Sequence, residues 1–327
     1  MTTLQHMRRK LKNPLVVRDM SLGLITKIFR WLFVIGMCYV FLFPILYIIS
    51  VAFRAPSSVN DPSVVWVPKE WSLESLQATM DVLHYWKSTG LTLVIAIGST
   101  LGTLISCLMV GYALARFSFW EKKLVFGLVL LTIIVPPQTI LMSSYLNFSF
   151  FDFGGILKLL SPITHTPYIN LLNTPWTFIL PSFFASGLRA GLFIFICRQF
   201  FSGMPKDLEE AARIDGCGAF RTFAQIMVPL AKPAIITVLL FSFVWHWNDF
   251  YSSTMFFNDE VRPISVMLYN ITELLGNSGL FSGTVTAYQL RTYTQAGALL
   301  TILPPLILYL FTQRHFTESI ERTGLVG

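Results

Sequence analysis

The chain has 327 residues, of which 54% are hydrophobic, 15% are aromatic and only 13% are charged. Soluble domains carry about 25% charged residues, so this composition excludes an ordinary soluble domain and indicates a membrane protein. The formal net charge is +7. Its Lys and Arg residues flank apolar runs instead of clustering on one folded face, which argues against nucleic acid as a partner.

Six apolar segments are each long enough to cross a bilayer as a helix, which takes roughly 20 residues. We therefore predict an all-α polytopic membrane protein with six transmembrane helices, because long continuous apolar runs favour helices over the short alternating strands of a barrel. The predicted spans are 28–53, 89–115, 124–145, 178–201, 234–257 and 293–313. Prolines are expected to kink or break three spans, at Pro44, at Pro136 and Pro137, and at Pro304 and Pro305.

The basic residues predict the orientation of the spans. One set of alternate loops, together with the termini, holds 17 Lys and Arg residues, and the other set holds six. This bias places both termini and the polar loop 202–233 in the cytoplasm. The predicted organisation is a basic extension (1–27), a transmembrane domain (28–313) and a short tail (314–327). The first span lacks a small-residue cleavage site and is expected to be a retained anchor.

Two charged residues, Arg189 and Asp249, fall inside predicted spans, where a charge is costly and indicates function. Helical spacing places four residues of span five on one face: Trp245, Asn248, Asp249 and Ser252. An indole can stack on a sugar ring, and amide and carboxylate groups bind hydroxyls, so these residues and Arg189 are candidates for a substrate pathway. The alternatives are an Arg189–Asp249 ion pair, an arginine turned to backbone carbonyls, and an interfacial aromatic belt. We expect His246 to point elsewhere and to serve packing.

The polar loop is predicted to be a helix–turn–helix pair. Pro205 fits a first helical turn, Gly216 fits a helix stop, and Pro229 is expected to end the second helix. On the residues alone, a solvated linker remains the alternative. The four cysteines, Cys38, Cys107, Cys197 and Cys217, have no CxxC spacing, so neither a zinc site nor a disulfide framework is expected.

The loop resembles the "EAA" signature of binding-protein-dependent ABC importer permeases. The matching residues are Glu210, Ala211, Ala212, Asp215, Gly216, Ile226 and Pro229, with mild departures at Cys217 and Val228. The stretches "RQFFSGMPKDLEEAA", "WNDF" and "QRHF" are similar to the carbohydrate branch, and most similar to the smaller permease subunit of maltose-type importers. The resemblance implies the type I ABC importer permease fold.

By the same resemblance, the chain forms half of a pathway for a sugar or oligosaccharide in a bacterial or archaeal cytoplasmic (inner) membrane. The implied partners are a second homologous permease, two ATPase subunits and an extracytoplasmic solute-binding protein. Glu210–Gly216 and Pro229 would belong to a coupling loop that docks on an ATPase, and the tail would enter the ATPase dimer interface. The outer loop 274–288, with Gly276, Gly279, Phe281 and Gly283, would reach the binding protein.

The chain has no GxxxxGK[ST] sequence, so no cofactor is expected in it, and ATP and Mg would be bound by partner subunits. It is expected to be a transport subunit without an ATP site of its own. Two alternatives are an ABC permease for a non-sugar solute and a polytopic membrane enzyme, such as a lipid-linked transferase. Five scattered histidines, and the lack of an acidic pair at a membrane face outside the polar loop, argue against the enzyme.

Overall fold

The computed structural model describes residues 14–55, 67–159, 167–280 and 286–324, with side chains between residues 25 and 313. The described residues contain helices and no strand. Two isolated antiparallel bridges, Arg54 with Trp71 and Phe151 with Ile169, join the ends of two long loops. The predicted all-α class is therefore confirmed.

The helices are numbered here in chain order. They are α1 (Pro14–Ala52), α2 (Glu74–Val82), α3 (Tyr85–Arg116), α4 (Lys122–Ile134), α5 (Leu141–Ser149), α6 (Trp176–Phe183), α7 (Ala190–Gly203), α8 (Asp207–Ile214), α9 (Ala219–Leu230), α10 (Lys232–Trp247), α11 (Tyr251–Phe256), α12 (Ile264–Tyr269), α13 (Ile271–Asn277) and α14 (Ala287–Gly324). A short 3-10 helix, Pro137–Ile140, precedes α5, and α9 contains a π turn, Phe223–Met227.

Among the described residues, three helical segments are long and apolar enough to cross a membrane unbroken: Ile25–Ala52, Tyr85–Arg116 and Ala287–Gln313. Two bent pairs raise the number to five: Lys122–Ile134 with Pro137–Ser149, at 99°, and Ala219–Leu230 with Lys232–Trp247, at 78°. Length and composition thus support three to five spans and do not confirm the predicted six.

The prediction of one continuous helix over 178–201 is wrong. The chain leaves the helix after Phe183 and enters α7 only at Ala190, and both Ala185 and Arg189 adopt a positive φ, of 55° and 56°. Gly187 sits against Ser182 so closely that an added Cβ would lie 2.5 Å from the Ser182 Oγ. Small residues at this point allow a tight break in the helix that side chains of ordinary size would block.

Of the three spans that proline is expected to kink or break, one is broken, between α4 and α5. Val135 and Pro136 are extended, with ψ of 122° and 130°, as expected for residues that precede proline. In contrast, α1 runs through Pro44 and α14 runs through Pro304 and Pro305 without interruption. The uninterrupted helices pack against each other, and proline is tolerated inside such helices where neighbouring helices satisfy the freed backbone groups. No residue of α4 or α5 is buried.

Helix α3 is the centre of the bundle, because α6, α7 and α10 all pack on it, while α14 packs on α1, α2 and α10. Hydrogen bonds between helices support this packing. The Ser106 hydroxyl donates to the Ser182 carbonyl at 2.7 Å, and the Trp247 indole donates to the Thr301 carbonyl at 3.1 Å. In an apolar surrounding, such polar contacts and close packing hold helices together.

Candidate functional site

Three interruptions of the helices meet at one cavity. The break between α4 and α5 contributes Pro137 and Gln138, the break before α7 contributes Leu188 and Arg189, and the turn after α10 contributes 248–250. The cavity has a volume of about 220 Å³. Irregular backbone at membrane depth is tolerated where it lines a cavity or is buried in protein. Substrate sites of membrane transporters are built in this way from discontinuous helices.

All five residues predicted for a substrate pathway line this cavity: Arg189, Trp245, Asn248, Asp249 and Ser252. The sequence analysis missed Gln138 and Tyr251, which also line it. Gln138 could have been identified from the sequence, because it is the first polar residue after the paired prolines. The cavity therefore combines a cation, a carboxylate, two amides and hydroxyl groups with aromatic side chains.

The expectation that four of these residues share one helical face is wrong. Helix α10 ends at Trp247, and the Asn248 amide donates from Nδ2 to the Val244 carbonyl at 2.9 Å. The chain then turns before α11. The residues meet because the helix ends beside the cavity, not because they are spaced along one helix.

Arg189 and Asp249 form no ion pair in the part of the chain that the structure describes. The Arg189 guanidinium carbon instead lies 4.8 Å from the centre of the Trp245 ring, which is within the range of cation–π attraction. Arg189 itself precedes α7 in the left-handed conformation. A residue other than glycine in that conformation is strained, and such strain is concentrated at functional sites.

The carboxylate of Asp249 is bonded to the start of α11. Its Oδ2 accepts from the Ser253 backbone nitrogen at 2.9 Å and from the Ser253 hydroxyl at 3.2 Å, and its Oδ1 accepts from Ser252 at 3.2 Å. Asp249 thus caps the first turn of α11 from the residue before the N-cap position, which Phe250 occupies. His246, by comparison, is buried, and its Nδ1 lies 2.8 Å from the Ser242 carbonyl oxygen, away from the cavity.

The polar loop forms the predicted helix–turn–helix pair. Helix α8 ends at Ile214, Gly216 takes a φ of +80°, and α9 begins at Ala219. The second helix ends as predicted at Pro229, within one residue, because α9 runs to Leu230 and the chain then bends by 78° into α10.

The loop presents one exposed surface and one buried one. Of the EAA-like residues, Glu210, Ala211, Asp215 and Gly216 are exposed, whereas Ala212 is buried and faces the rest of the chain. Two large apolar side chains project outward beside the Gly216 turn, Ile214 at 86% exposure and Phe220 at 74%. Exposed apolar residues on a polar loop are typical of a contact surface for another protein.

The inner surface of the loop is attached to α3 and α7 by an aromatic cluster. The Tyr112 ring lies 5.4 Å from Phe201 and 5.0 Å from Phe223, between ring centres. Glu209, in α8, is buried against Arg116. These contacts are not evident from the sequence, because Arg116 and Glu209 lie more than 90 residues apart in the chain.

The outer loop is described only in part. Gly276 lies in α13, and Gly279 adopts a φ of +69° just beyond it. Phe281 and Gly283 lie outside the described residues. Gly279 therefore turns the chain at the start of the predicted finger, whereas Gly276 is helical.

Comparison with known proteins places this architecture in a family. Protein LplC of Bacillus subtilis is 28% identical over 88% of this chain and 90% of its own length. The arabinooligosaccharides transport system permease protein AraQ of Halalkalibacterium halodurans is 28% identical over 92% of this chain and 98% of its own. A chain of a bacterial ABC transporter involved in the import of the acidic polysaccharide alginate has the same fold, with a TM-score of 0.66, 21% identity, and coverage of 91% of this chain and 98% of that chain.

The sequence profile of one family matches residues 107–321, which is most of the chain and includes the polar loop and both helices that frame it. The predicted resemblance and the importer permease fold are thereby confirmed. The chain belongs to the family of binding-protein-dependent transport system inner membrane components.

Proposed function

We propose that this chain is a permease subunit that forms half of the translocation pathway for a sugar or oligosaccharide in an ATP-driven importer. The observation that carries the proposal is the meeting of three helix breaks at a cavity lined by Arg189, Trp245, Asn248, Asp249 and Ser252. A sugar offers many hydroxyl groups and an apolar ring face, which amides, charged groups and an indole can bind together. A relative named for arabinooligosaccharide transport supports a saccharide over other solutes.

The cavity needs partners to become a pathway. No residue of α4 or α5 is buried, and the part of α1 from Ile25 to Leu46 is exposed. These apolar faces suit lipid and a second, homologous permease. Two ATPase subunits would bind ATP and Mg, because the sequence has no phosphate-binding loop of its own. A solute-binding protein would deliver the sugar from outside.

The polar loop 202–233 is proposed to be the coupling loop on the cytoplasmic side. Ile214 and Phe220 would enter an apolar cleft of the ATPase, with Glu210, Ala211, Asp215 and Gly216 around them. Pro229 and the buried Ala212 would shape the loop without touching the ATPase. The tail, 314–327, would contact the ATPases, and the outer loop 274–288 would contact the binding protein.

The test uses the complete importer, made from this chain with the second permease, the ATPase and the binding protein, for which the neighbouring genes are searched first. Thermal-shift measurements of the binding protein against arabino-, galacturono- and alginate oligosaccharides and against amino acids and short peptides would identify the solute class. Uptake of the stabilising solute into proteoliposomes, with ATP inside, would then be measured. We expect ATP-dependent uptake of a saccharide only by the complete complex. Stabilisation by an amino acid or peptide alone, or uptake by this chain alone, would contradict the proposal.

A further inference from the structure

The polar loop is joined to the membrane helices by a buried ion pair. Arg116, the last residue of α3, has its Nε 3.4 Å from Oε1 of Glu209 in α8. Only 5% of the Arg116 side chain and 11% of the Glu209 side chain are exposed. The same guanidinium donates from Nη2 to the carbonyl of Met204, the residue that follows α7, at 2.7 Å. Arg116 therefore holds the end of α7 and the start of α8 to the end of α3.

Glu209 differs in this respect from the other acidic residues of its helix. Asp207 and Glu210 are exposed, whereas Glu209 is buried. The hydroxyl of Tyr112, one turn before Arg116, also interacts with the Glu209 carboxylate. A buried carboxylate is costly unless it is paired, so these contacts determine where the first turn of α8 can lie relative to α3.

The contact between the two charges is not a hydrogen bond. Arg116 Nε and Glu209 Oε1 are both buried without a hydrogen-bond partner, although they are within ion-pair distance. Charge-assisted hydrogen bonds are shorter than this contact and considerably stronger. A small movement of α8 toward α3 would shorten the contact, so the pair responds to the position of the loop.

We propose that Arg116 and Glu209 are positioning residues that transmit displacement of α8 into α3. This inference rests on the proposed function of the loop as the docking site of an ATPase. Helices α6, α7 and α10 pack on α3, and Arg189 before α7 and Trp245 on α10 line the cavity. A shift of α3 would therefore move two walls of the cavity at once.

The experiment uses the complete importer with a reporter that needs no solute. Gln138→Cys introduces a thiol into the cavity wall, and its labelling by a membrane-impermeant maleimide from outside is measured with and without MgATP and vanadate. The test variant carries Arg116→Gln with Glu209→Gln, which removes both charges and leaves neither one unpaired. The matched control carries Glu121→Gln with Lys123→Gln, two exposed charges at the start of α4.

We expect the ATPase to co-purify with the test variant as it does with the unchanged chain. The change in labelling caused by MgATP and vanadate should be smaller in the test variant by about fivefold or more, which is the scale of allosteric coupling. The control should keep the full change. If the test variant shows the same change in labelling as the unchanged importer, the inference is overturned. If the ATPase does not co-purify with the test variant, the ion pair serves assembly, and the inference is overturned as well. If the ATPase does not co-purify with the unchanged chain, the proposed function of the loop is contradicted, and the inference that rests on it is contradicted too.

The two single variants separate folding from transmission. Glu209→Gln or Arg116→Gln alone leaves one buried charge without its counter-charge, so each should assemble less well than the double variant. Arg116→Lys keeps the charge and is expected to restore part of the labelling change in those complexes that assemble. If Arg116→Lys behaves like Arg116→Gln although its complexes assemble fully, the charge does not transmit the movement.

Discussion

The Arg189 guanidinium lies over the Trp245 indole, 4.8 Å from the ring centre, where two helices meet at the cavity. Trp245 is in turn held by Phe193 at 5.3 Å and Phe241 at 5.6 Å, between ring centres. Trp245, on α10, thus holds the guanidinium in place, although the Arg189 backbone, just before α7, is in a strained conformation. The position of a positive charge in the cavity thus depends on an aromatic residue of α10.

The first prediction concerns this stack. Trp245→Leu should reduce sugar uptake by about 2- to 30-fold, because a cation–π contact contributes roughly 0.5–2 kcal/mol. Trp245→Phe, which keeps an aromatic face, should lose less. The measurement is initial uptake in proteoliposomes of the saccharide that stabilises the binding protein. Trp120→Leu, at a residue 93% exposed outside the cavity, is the control, and equal uptake by both leucine variants would refute the role of the stack.

The second prediction separates a cap from a substrate contact at Asp249. The carboxylate accepts three hydrogen bonds from Ser252 and Ser253. Asp249→Ala should therefore destabilise the importer by about 1 kcal/mol, the usual cost of losing a helix cap, and Asp249→Asn should cost less. The loss of stability is measured by thermal unfolding of the purified complex, and Asp259→Ala, at an exposed residue, is the control. Reduced uptake without any change in the unfolding midpoint would show a direct contact with sugar instead.

The sequence identifies the polar loop and five of the residues that line the cavity, because both depend on chemistry that is visible locally. Charges in apolar runs are rare, so Arg189 and Asp249 stand out, and the Gly216 turn follows from the flexibility of glycine. The continuous helix over 178–201 is wrong, since hydrophobicity alone does not reveal that the chain breaks between Ala185 and Arg189, where both residues take a positive φ.

Pairing between distant residues is the other part that the sequence leaves undetermined. Glu209 and Arg116 lie in separate segments, and nothing in their spacing shows that one acid of α8 turns inward while its neighbours face outward. The Arg189–Asp249 ion pair, one of the alternatives open from the sequence, is absent from the described residues for a related reason. Each side chain has a nearer partner, Trp245 for the arginine and the start of α11 for the aspartate.

The third prediction compares two glycines of α3. An added Cβ at Gly111 would lie 2.5 Å from the Cys197 Cβ and 3.0 Å from the Arg198 backbone nitrogen, whereas Gly90 has nothing within 4 Å. Gly111→Ala should destabilise the chain by about 1–3 kcal/mol, because α7 cannot move away without losing its other contacts. Gly90→Ala should be neutral or stabilise it by about 0.5–1 kcal/mol, since glycine is unfavourable inside a helix. Equal unfolding midpoints of the two variants would contradict the close α3–α7 packing.

The last prediction concerns the turn of the polar loop. Gly216 has a φ of +80°, which proline cannot adopt and alanine adopts at a cost of about 1–2 kcal/mol. Gly216→Pro should prevent the turn, and Asp215→Lys should reverse the charge beside the exposed Ile214. Both variants should leave the ATPase weakly bound or hydrolyse ATP without uptake, and Gly216→Ala should weaken co-purification by about 5- to 30-fold.

A control lies two residues away on the same turn. Gly218 has an ordinary extended conformation, with φ of −72°, and open space around it. Gly218→Ala should therefore leave the shape of the turn and the binding of the ATPase unchanged. Co-purification of the ATPase, ATP hydrolysis and uptake are measured on the same preparations, so that loss of binding is separated from loss of coupling. If Gly216→Pro and Asp215→Lys bind the ATPase and transport as well as Gly218→Ala, then residues 210–216 are a linker, and the contact surface for the ATPase must lie elsewhere on the chain.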